Sequence, residues 1–445
     1  MTPLPQGPRG IFNINYHAMT DPIGTTLRWQ REYGDTMTMP DLEGKGFLSS
    51  GAPAAIRTLF SAPPETFAPF SVDMLSCFVG DTSVLVLSGA PHTSMRRLLM
   101  PPFHGQRMRV YGQQIRELAL QNLVGFKPGT RFVAQQLMHA ISLQTIIHLV
   151  FGVTEPERIA RVQKLVADFR NAFSNPLIVL PVLLRWLRRE FWGLGPWARL
   201  RRSIRALHAF FGEELALRRS ESRERTDILS LLQAARHEDG SGLSEPEIYD
   251  QLITLLLGGH ATTGDSLAWA LYFLAREPQV RGQLQAELAA LGPNPEPEAL
   301  AKLPYLEAVC HETMRMRPPV PSVARRLRQP VQFGGYELPA GYGVGASALC
   351  AHNNPEVFPQ PERFMPERFV GRTYSPFEFF PFGGGQRRCV GAAFALYEMK
   401  IILGTLLHKF DFELASKRPI RPFMTTTLVP NRPIQLQVRM LGAAR

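Results

Sequence analysis

The chain has 445 residues, of which 45% are hydrophobic and 20% charged, enough to bury a large core in one large domain or two to three ordinary ones. Its four cysteines, Cys77, Cys310, Cys350 and Cys389, are too few and too widely spaced for a disulfide framework, so a reducing cytoplasm is the expected location. The net charge of +11 suits nucleic acid, a membrane surface or an acidic protein partner, and since no nucleic-acid motif accompanies the arginines, the protein partner is expected.

Met1 to Gly10 holds neither a charged segment followed by an apolar core nor an apolar run of about 18 residues, so neither a signal peptide nor an integral membrane anchor is expected. Up to residue 50 the chain is rich in Pro and Gly, and Thr36–Met39 and Phe47–Ser49 alternate as strands do. Pro53 to Phe60 reads as a short helix, and the stretch from there to Leu87 as an irregular, largely apolar connection. Gly89 to Leu99 places His92 and Arg96 four apart, on one face of a helix, where both can grip one anion. A pair of this kind more often lies on a solvated face. Helical spacing runs from Tyr111 to Gly152 with a break at Lys127–Gly129, and Ser174 to Arg205 interleaves Arg and Trp with apolar residues, a pattern able to rest on a membrane surface.

Ser244 and Glu247 form a capping box with Pro246 in the first turn, opening one long helix from about Glu245 to Arg276. Inside it, Gly258 and Gly259 each cost about 1 kcal/mol relative to Ala, which predicts a close approach to the backbone there. Ala261, Thr262 and Thr263 follow; helical threonines ordinarily bond back to a preceding carbonyl. Two further helices are expected in 277–317, the second with Glu312 and Arg315 on one face. Strand-like pieces alternate with turns from Val320 to Val344, a helix runs from Ala392 to about Phe410, and Phe423–Leu428 reads as a final turn.

The stretch Phe382-Gly383-Gly384-Gly385-Gln386-Arg387-Arg388-Cys389-Val390-Gly391 carries the chemistry. A thiol ligates metal as thiolate, which cationic neighbours and a helix N-terminus favour, and Cys389 has Arg387 and Arg388 before it and a helix after it. The glycines let backbone N–H groups approach the sulfur. A phosphate loop and a dinucleotide turn both fail on spacing, and zinc would need clustered ligands, whereas Cys350, His352 and His408 are distant. A glycine turn beside a buried cysteine is the plain alternative. The pattern F-x-x-G-x-R-x-C-x-G is met at Phe382, Gly385, Arg387, Cys389 and Gly391, a match expected by chance on the order of once in ten thousand chains of this length. In these residues the sequence resembles the cytochrome P450 family.

The resemblance implies a mainly α fold with a small β-rich part, the β-rich pieces at about 30–60 and 320–350, and haem b between the long distal helix and the cysteine loop. It implies a single haem domain over 1–445, expected to be a monomer and too short to carry an appended reductase. Cys389 is then the metal ligand, a thiolate that favours O–O cleavage. His92, Arg96, Arg325 and Arg387, with Phe382 and Gly391, hold the cofactor, Arg326 being the weaker neighbour. Gly258 to Thr263 resembles the oxygen-binding motif, with Thr262 and Thr263 as catalytic hydroxyls, but the usual acid is replaced by Ala261, so protons must come through water ordered by Thr262 and by His260, Thr263 or Asp265. Leu255, Gly258, Gly259, Ala261, Val320, Val323 and Met424 line the substrate pocket, and about 170–205 forms a lid. Glu312 and Arg315 match E-x-x-R, with Arg368 rather than Arg363 completing a buried network. The implied reaction is oxidation of a small hydrophobic molecule (terpenoid, steroid-like or fatty acid) by O2, with electrons from a ferredoxin or flavodoxin and its reductase docking on a basic face near Arg97, Arg107, Arg109 and Arg388. A peroxide-using enzyme and a non-catalytic haem-based binder are the alternatives.

Overall fold

The computed structural model describes residues 3–41, 44–103, 107–178, 181–182, 188, 194–220, 225, 227–416 and 418–439. The chain divides into two compact units, one of Met1–Phe70, Phe103–Ser142 and Ala261–Arg445, the other of Ser71–Pro102 and Leu143–His260. Much of the expected lid, including Arg185, Trp186 and Trp192, lies outside the described residues. Among the described residues no single helix is long and apolar enough to cross a membrane.

The first unit opens with two helices, Ile11–Thr20 and Pro22–Tyr33, in a stretch where only a small sheet was expected. Pro22 and Gly24 look like breakers but occupy the first turn, where proline's missing N–H costs nothing, and the Asp21 carboxylate caps that turn by accepting from Gly24 N at 3.2 Å. The five-stranded sheet that follows has the order Thr36–Met39, Phe47–Ser50, Gly343–Ser347, Ser322–Leu327, Phe67–Pro69, with only the second and third strands parallel. Alternation puts Leu48, Phe67, Leu327, Val344 and Ala346 on a buried cluster with Ile56 and Phe60 of the helix Pro53–Ser61 and with Phe380, close to the cysteine stretch.

The helical part of this unit contains Arg107–Asn122, Ala261–Arg276, Pro278–Ala289, Pro297–Ala301, Pro304–Met316 and Ala392–Lys409. Three helices therefore stand where two were expected in 277–317, each opening on a proline in its first turn. A strand missed in the sequence, Arg131–Val133, pairs with Gln435–Arg439. Trp269 is fully buried and donates its indole N–H to Leu428 O at 3.1 Å.

The expected single helix from Glu245 to Arg276 is two, Glu245–Gly259 and Ala261–Arg276, interrupted at His260. Two helix-weak glycines precede the break, and the His260 ring nitrogen Nδ1 lies 2.6 Å from Leu256 O, a carbonyl that an uninterrupted helix would reserve for the backbone. The start is as expected: Ser244 N donates to Glu247 Oε2 at 2.8 Å, and Glu247 N to Ser244 Oγ at 3.4 Å.

In the second unit Arg218, on the helix Gly195–Ser220, reaches Glu214 at 2.8 Å, Asp227 at 3.3 Å and the carbonyl of Phe151, while Arg158 also pairs with Glu214. Gly152, at φ 58°, is glycine for two reasons: the left-handed backbone and a Cβ that would lie 2.5 Å from Asp227 Oδ2.

Glu312 and Arg315 are both fully buried on Pro304–Met316 and meet in a fork, Nε to Oε2 at 2.6 Å and Nη2 to Oε1 at 2.9 Å. Arg368 adds its Nε to Glu312 Oε1 at 3.3 Å, whereas Arg363 offers only its backbone carbonyl to Arg315. Arg315 also donates to His352 O at 2.7 Å, and Phe380 N donates to His352 Nε2 at 3.0 Å. Burial, then the Arg315 charge, pushes the His352 imidazole down to about 3, so it remains a neutral acceptor. Removing one partner of such a pair strands a buried charge. Glu312→Ala is therefore expected to lose about 3–5 kcal/mol of stability, read as a fall in the urea midpoint, while Arg363→Ala leaves the midpoint nearly unchanged.

Candidate active site

The cysteine stretch closes on itself through Cys389 N donating to Phe382 O at 2.9 Å, Gly383 N to Phe380 O at 2.9 Å and Arg388 N to Gly385 O at 3.1 Å. Its glycines serve distinct ends. Gly383 and Gly385 hold φ of 65° and 64°, and a Cβ on Gly384 or Gly385 would lie 2.1 Å from the Phe60 ring or 2.2 Å from Phe60 O. The loop is thus pressed onto the helix Pro53–Ser61, and Phe60 meets Phe380 edge-on at 5.4 Å. Cys389 is left exposed just ahead of Ala392–Lys409, whose N-cap is Gly391; nothing lies within 4 Å of where a Gly391 Cβ would stand. The other cysteines differ. Burial raises the Cys310 thiol to about 12 and the Cys350 thiol to about 11, and raises the half-buried Cys77 as well.

Arg325 and Arg326 are neighbours on the strand Ser322–Leu327 and so point to opposite faces. Arg326 pairs with Asp41 at 3.0 Å and stacks on Phe70 with its guanidinium carbon 4.5 Å from the ring centre. Arg325 bonds only the adjacent Ala324 O, at 2.8 Å, among the described residues. Burial, with repulsion from Arg387, pushes its guanidinium down to about 10. Arg325, which has no carboxylate bonded to it among the described residues, and the neighbouring Arg387 place two cations beside the cysteine loop, a donor set that fits the carboxylates of a haem. Val323, on the same strand, comes within 3.6 Å of where a Gly383 Cβ would stand; Val320 is exposed, and Met424 lies in the strand Pro422–Met424, half-buried.

Within the second unit His92 is buried and Arg96 half-buried on one face of Gly89–Leu99, as the spacing predicts. Arg97 pairs with Glu238 at 2.5 Å on the surface. A Cβ on Gly259 would come 2.8 Å from Ile146 Cδ1, the tip of a side chain that would have to give way, while Gly258 faces open space; Leu255 is half-buried on the same helix. The segment Gly80–Leu85 is fastened to this helix by residues the sequence reading did not single out. Asp250 accepts from Thr82 N at 2.9 Å and Thr82 Oγ1 at 2.6 Å, Gln251 accepts from Val84 N at 3.0 Å, and Ser83 Oγ meets Thr254 Oγ1 at 2.7 Å. Asp and Gln adjacent in an otherwise apolar helix were the available signal. A cleft of about 370 Å³ in this unit, lined by Asp168, Asn171, Arg199, Arg202 and Ser203 among others, lies largely within the stretch expected to form the lid.

In the first unit Ala261 and Thr262 are half-buried and Thr263 buried at the start of Ala261–Arg276; Ser266 Oγ donates to Thr262 O at 2.9 Å. Another group missed in the sequence lies on the helix after Cys389. Glu398 is fully buried with neither carboxylate oxygen hydrogen-bonded among the described residues, and burial pushes it up to about 8. The Ser142 hydroxyl partly offsets that rise while lying outside hydrogen-bond geometry of either oxygen.

A group raised on folding binds its proton more tightly in the native state, so its stabilisation is present below the unfolded carboxyl range and is lost as pH climbs toward 8. Melting of the parent protein is expected to weaken from pH 5 to pH 8 by a few kcal/mol relative to Glu398→Gln, measured by calorimetry at both pH values. Arg325→Ala is expected to raise the rate of haem loss to apomyoglobin by about tenfold or more, the worth of a charged hydrogen bond.

The family model for cytochrome P450 matches residues 5–438. A Mycobacterium tuberculosis protein named "Putative cytochrome P450 135B1" is 36% identical over 98% of this chain and 91% of its own length. A Mycobacterium bovis protein named "Putative cytochrome P450 138" is 34% identical over 87% of this chain and 84% of its own. Among solved structures, a retinoic acid-bound cyanobacterial CYP120A1 superposes with a TM-score of 0.84 at 25% identity, over 99% of this chain and 100% of that one.

Proposed function

Because the chain belongs to the cytochrome P450 family, whose members are haem-thiolate monooxygenases, we propose that it oxidises a small hydrophobic substrate with O2, using electrons delivered by a separate ferredoxin or flavodoxin and its reductase. The observation that carries the reading is the pair of cations Arg325 and Arg387 held beside the exposed Cys389. Residues 1–445 act as one haem domain. Cys389 would ligate the iron of haem b, and Arg325, Arg387, His92 and Arg96 would hold its propionates. Bound haem would supply dioxygen activation and insertion of one oxygen atom into a C–H bond. The protein's own part is to bind, orient and protonate: Thr262 offers its hydroxyl to order water on the oxygen side, with Thr263 beside it.

The substrate class proposed is a terpenoid, steroid-like molecule or fatty acid. Support comes from the structural neighbour, which holds retinoic acid, itself a long apolar carboxylate. Ala261, in place of an acid, favours a second reading in which peroxide serves as the oxidant; product formed with hydrogen peroxide and none with reductase would establish it.

Adding apolar carboxylates and terpenoids should shift the haem spectrum as water leaves the iron, and those compounds should be oxidised with an NADPH-driven reductase. Cys389→Ser is expected to abolish the thiolate-type carbon monoxide spectrum, and Thr262→Ala to divert electrons from product to hydrogen peroxide by roughly a hundredfold, the low end of proton-transfer catalysis. Coupling unchanged in Thr262→Ala would remove that role.

A further inference from the structure

Asp265 is 4% exposed, yet both its carboxylate oxygens are engaged by residues distant in the chain. His139 Nε2 lies 2.8 Å from Oδ1, and Thr427 Oγ1 donates to Oδ2 at 3.2 Å. His139 comes from the helix Ala134–Phe151 and keeps a quarter of its side chain in contact with solvent, while Thr427 belongs to the turn between the strands Pro422–Met424 and Leu428–Pro430. The contact depends on the residue beside the acid. A Cβ on Gly264 would stand 2.3 Å from His139 Cδ2, so any side chain at 264 would push the ring away from the helix.

Position within the helix supplies the second argument. In Ala261–Arg276 residue 265 follows Ala261 by four and Thr262 by three, so it shares their face one turn on. Side chains of a helix lean toward its N-terminus and cover the preceding turn, so the Asp265 carboxylate leans back toward the level of Ala261 and Thr262. The buried acid missing at 261 is present one turn later, joined to an imidazole that touches solvent.

We propose that His139 and Asp265 form the proton supply for the oxygen side of this enzyme, a deepening that rests on the monooxygenase reading. Each proton taken from solvent by the free ring nitrogen of His139 is matched by one passed from Nε2 to Asp265 Oδ1. Asp265 passes one on to water held by the Thr262 hydroxyl, and the ring, left with its proton on Nδ1, resets by turning over so that a protonated nitrogen again faces Asp265. Two such cycles supply the two protons consumed as one dioxygen gives one inserted oxygen atom and one water, the electrons coming from the redox partner. Thr427 and Gly264 are positioning residues: the first holds Oδ2, the second admits the ring.

The test compares the haem-loaded parent chain with Asp265→Asn, Asp265→Glu and His139→Gln, using any compound that shifts the haem spectrum. Asp265→Asn keeps shape and hydrogen bonding but cannot relay, so product per NADPH should fall by roughly a hundredfold with hydrogen peroxide rising in its place, and His139→Gln should behave likewise. Asp265→Glu should restore most of the coupling. The substrate concentration at half spin shift and the melting temperature should stay near parental in all three, which a merely structural clamp would not allow. A crystal structure of the parent should show ordered water within hydrogen-bond reach of both Asp265 and Thr262. Parental coupling in Asp265→Asn, equal failure of the Asn and Glu variants, or a dry contact between Asp265 and Thr262 would each overturn the proposal while leaving the monooxygenase reading intact. A parent that releases peroxide but makes no product from any spin-shifting compound would instead overturn that reading, and the ordered water would still decide the relay.

Discussion

The buried fork between Glu312 and Arg315 is the constraint from which the first unit is built outward. Neither charge touches solvent, so each must find all its partners inside the fold. Arg315 spends its remaining donors on the carbonyls of His352 and Pro361, and Glu312 accepts from Met365 N at 2.9 Å. These bonds fix the irregular segment 352–368, which has little regular structure of its own to hold it. From His352 the constraint passes to Phe380, from Phe380 to Phe60, and from Phe60 to the glycines ahead of Cys389. A salt bridge therefore sets where a sulfur can stand without touching it.

On the strand Ser322–Leu327 the same economy separates two adjacent arginines. Arg326 is given a carboxylate and an aromatic face, so its charge is consumed within the protein. Arg325 is turned the other way, toward Arg387, where it pays a desolvation cost that only an anion would relieve. Structure and chemistry meet there, because a cation repelled by its neighbour is poised for a ligand rather than for the fold.

Much of this was legible in the sequence, and the remainder failed for identifiable reasons. The glycines and arginines before Cys389, the capping box at Ser244 and the strands at 36–39 and 47–50 are local patterns, and local patterns survive in a linear reading. Arg368 rather than Arg363 as the third member of the Glu312 network was implied by the family resemblance, and the geometry agrees. The N-terminal helices were missed because Pro22 and Gly24 argue against a helix until Asp21 is seen to cap it. Continuity across His260 was expected because periodicity cannot register a side chain taking the Leu256 carbonyl. Contacts such as Asp265 with His139, 126 residues apart, or Asp250 with Thr82, 168 apart, leave no trace at short range. The burial of Glu398 had no signal in the sequence, since nothing local tells a solvated carboxylate from a buried one.

The distribution of the four cysteines bears on how such a protein would age in use. Two thiols are sealed in the interior and a third is held largely protonated, so none of them offers an oxidant much thiolate. The fourth, Cys389, is the one the proposal reserves for the cofactor. Peroxide that escapes from unproductive cycles would therefore find little thiolate to oxidise elsewhere in the protein, so its damage would fall at the haem site itself, and each lapse in coupling would tend to retire the molecule that made it. Self-inactivation of that kind links the accuracy of proton delivery to the working lifetime of the chain.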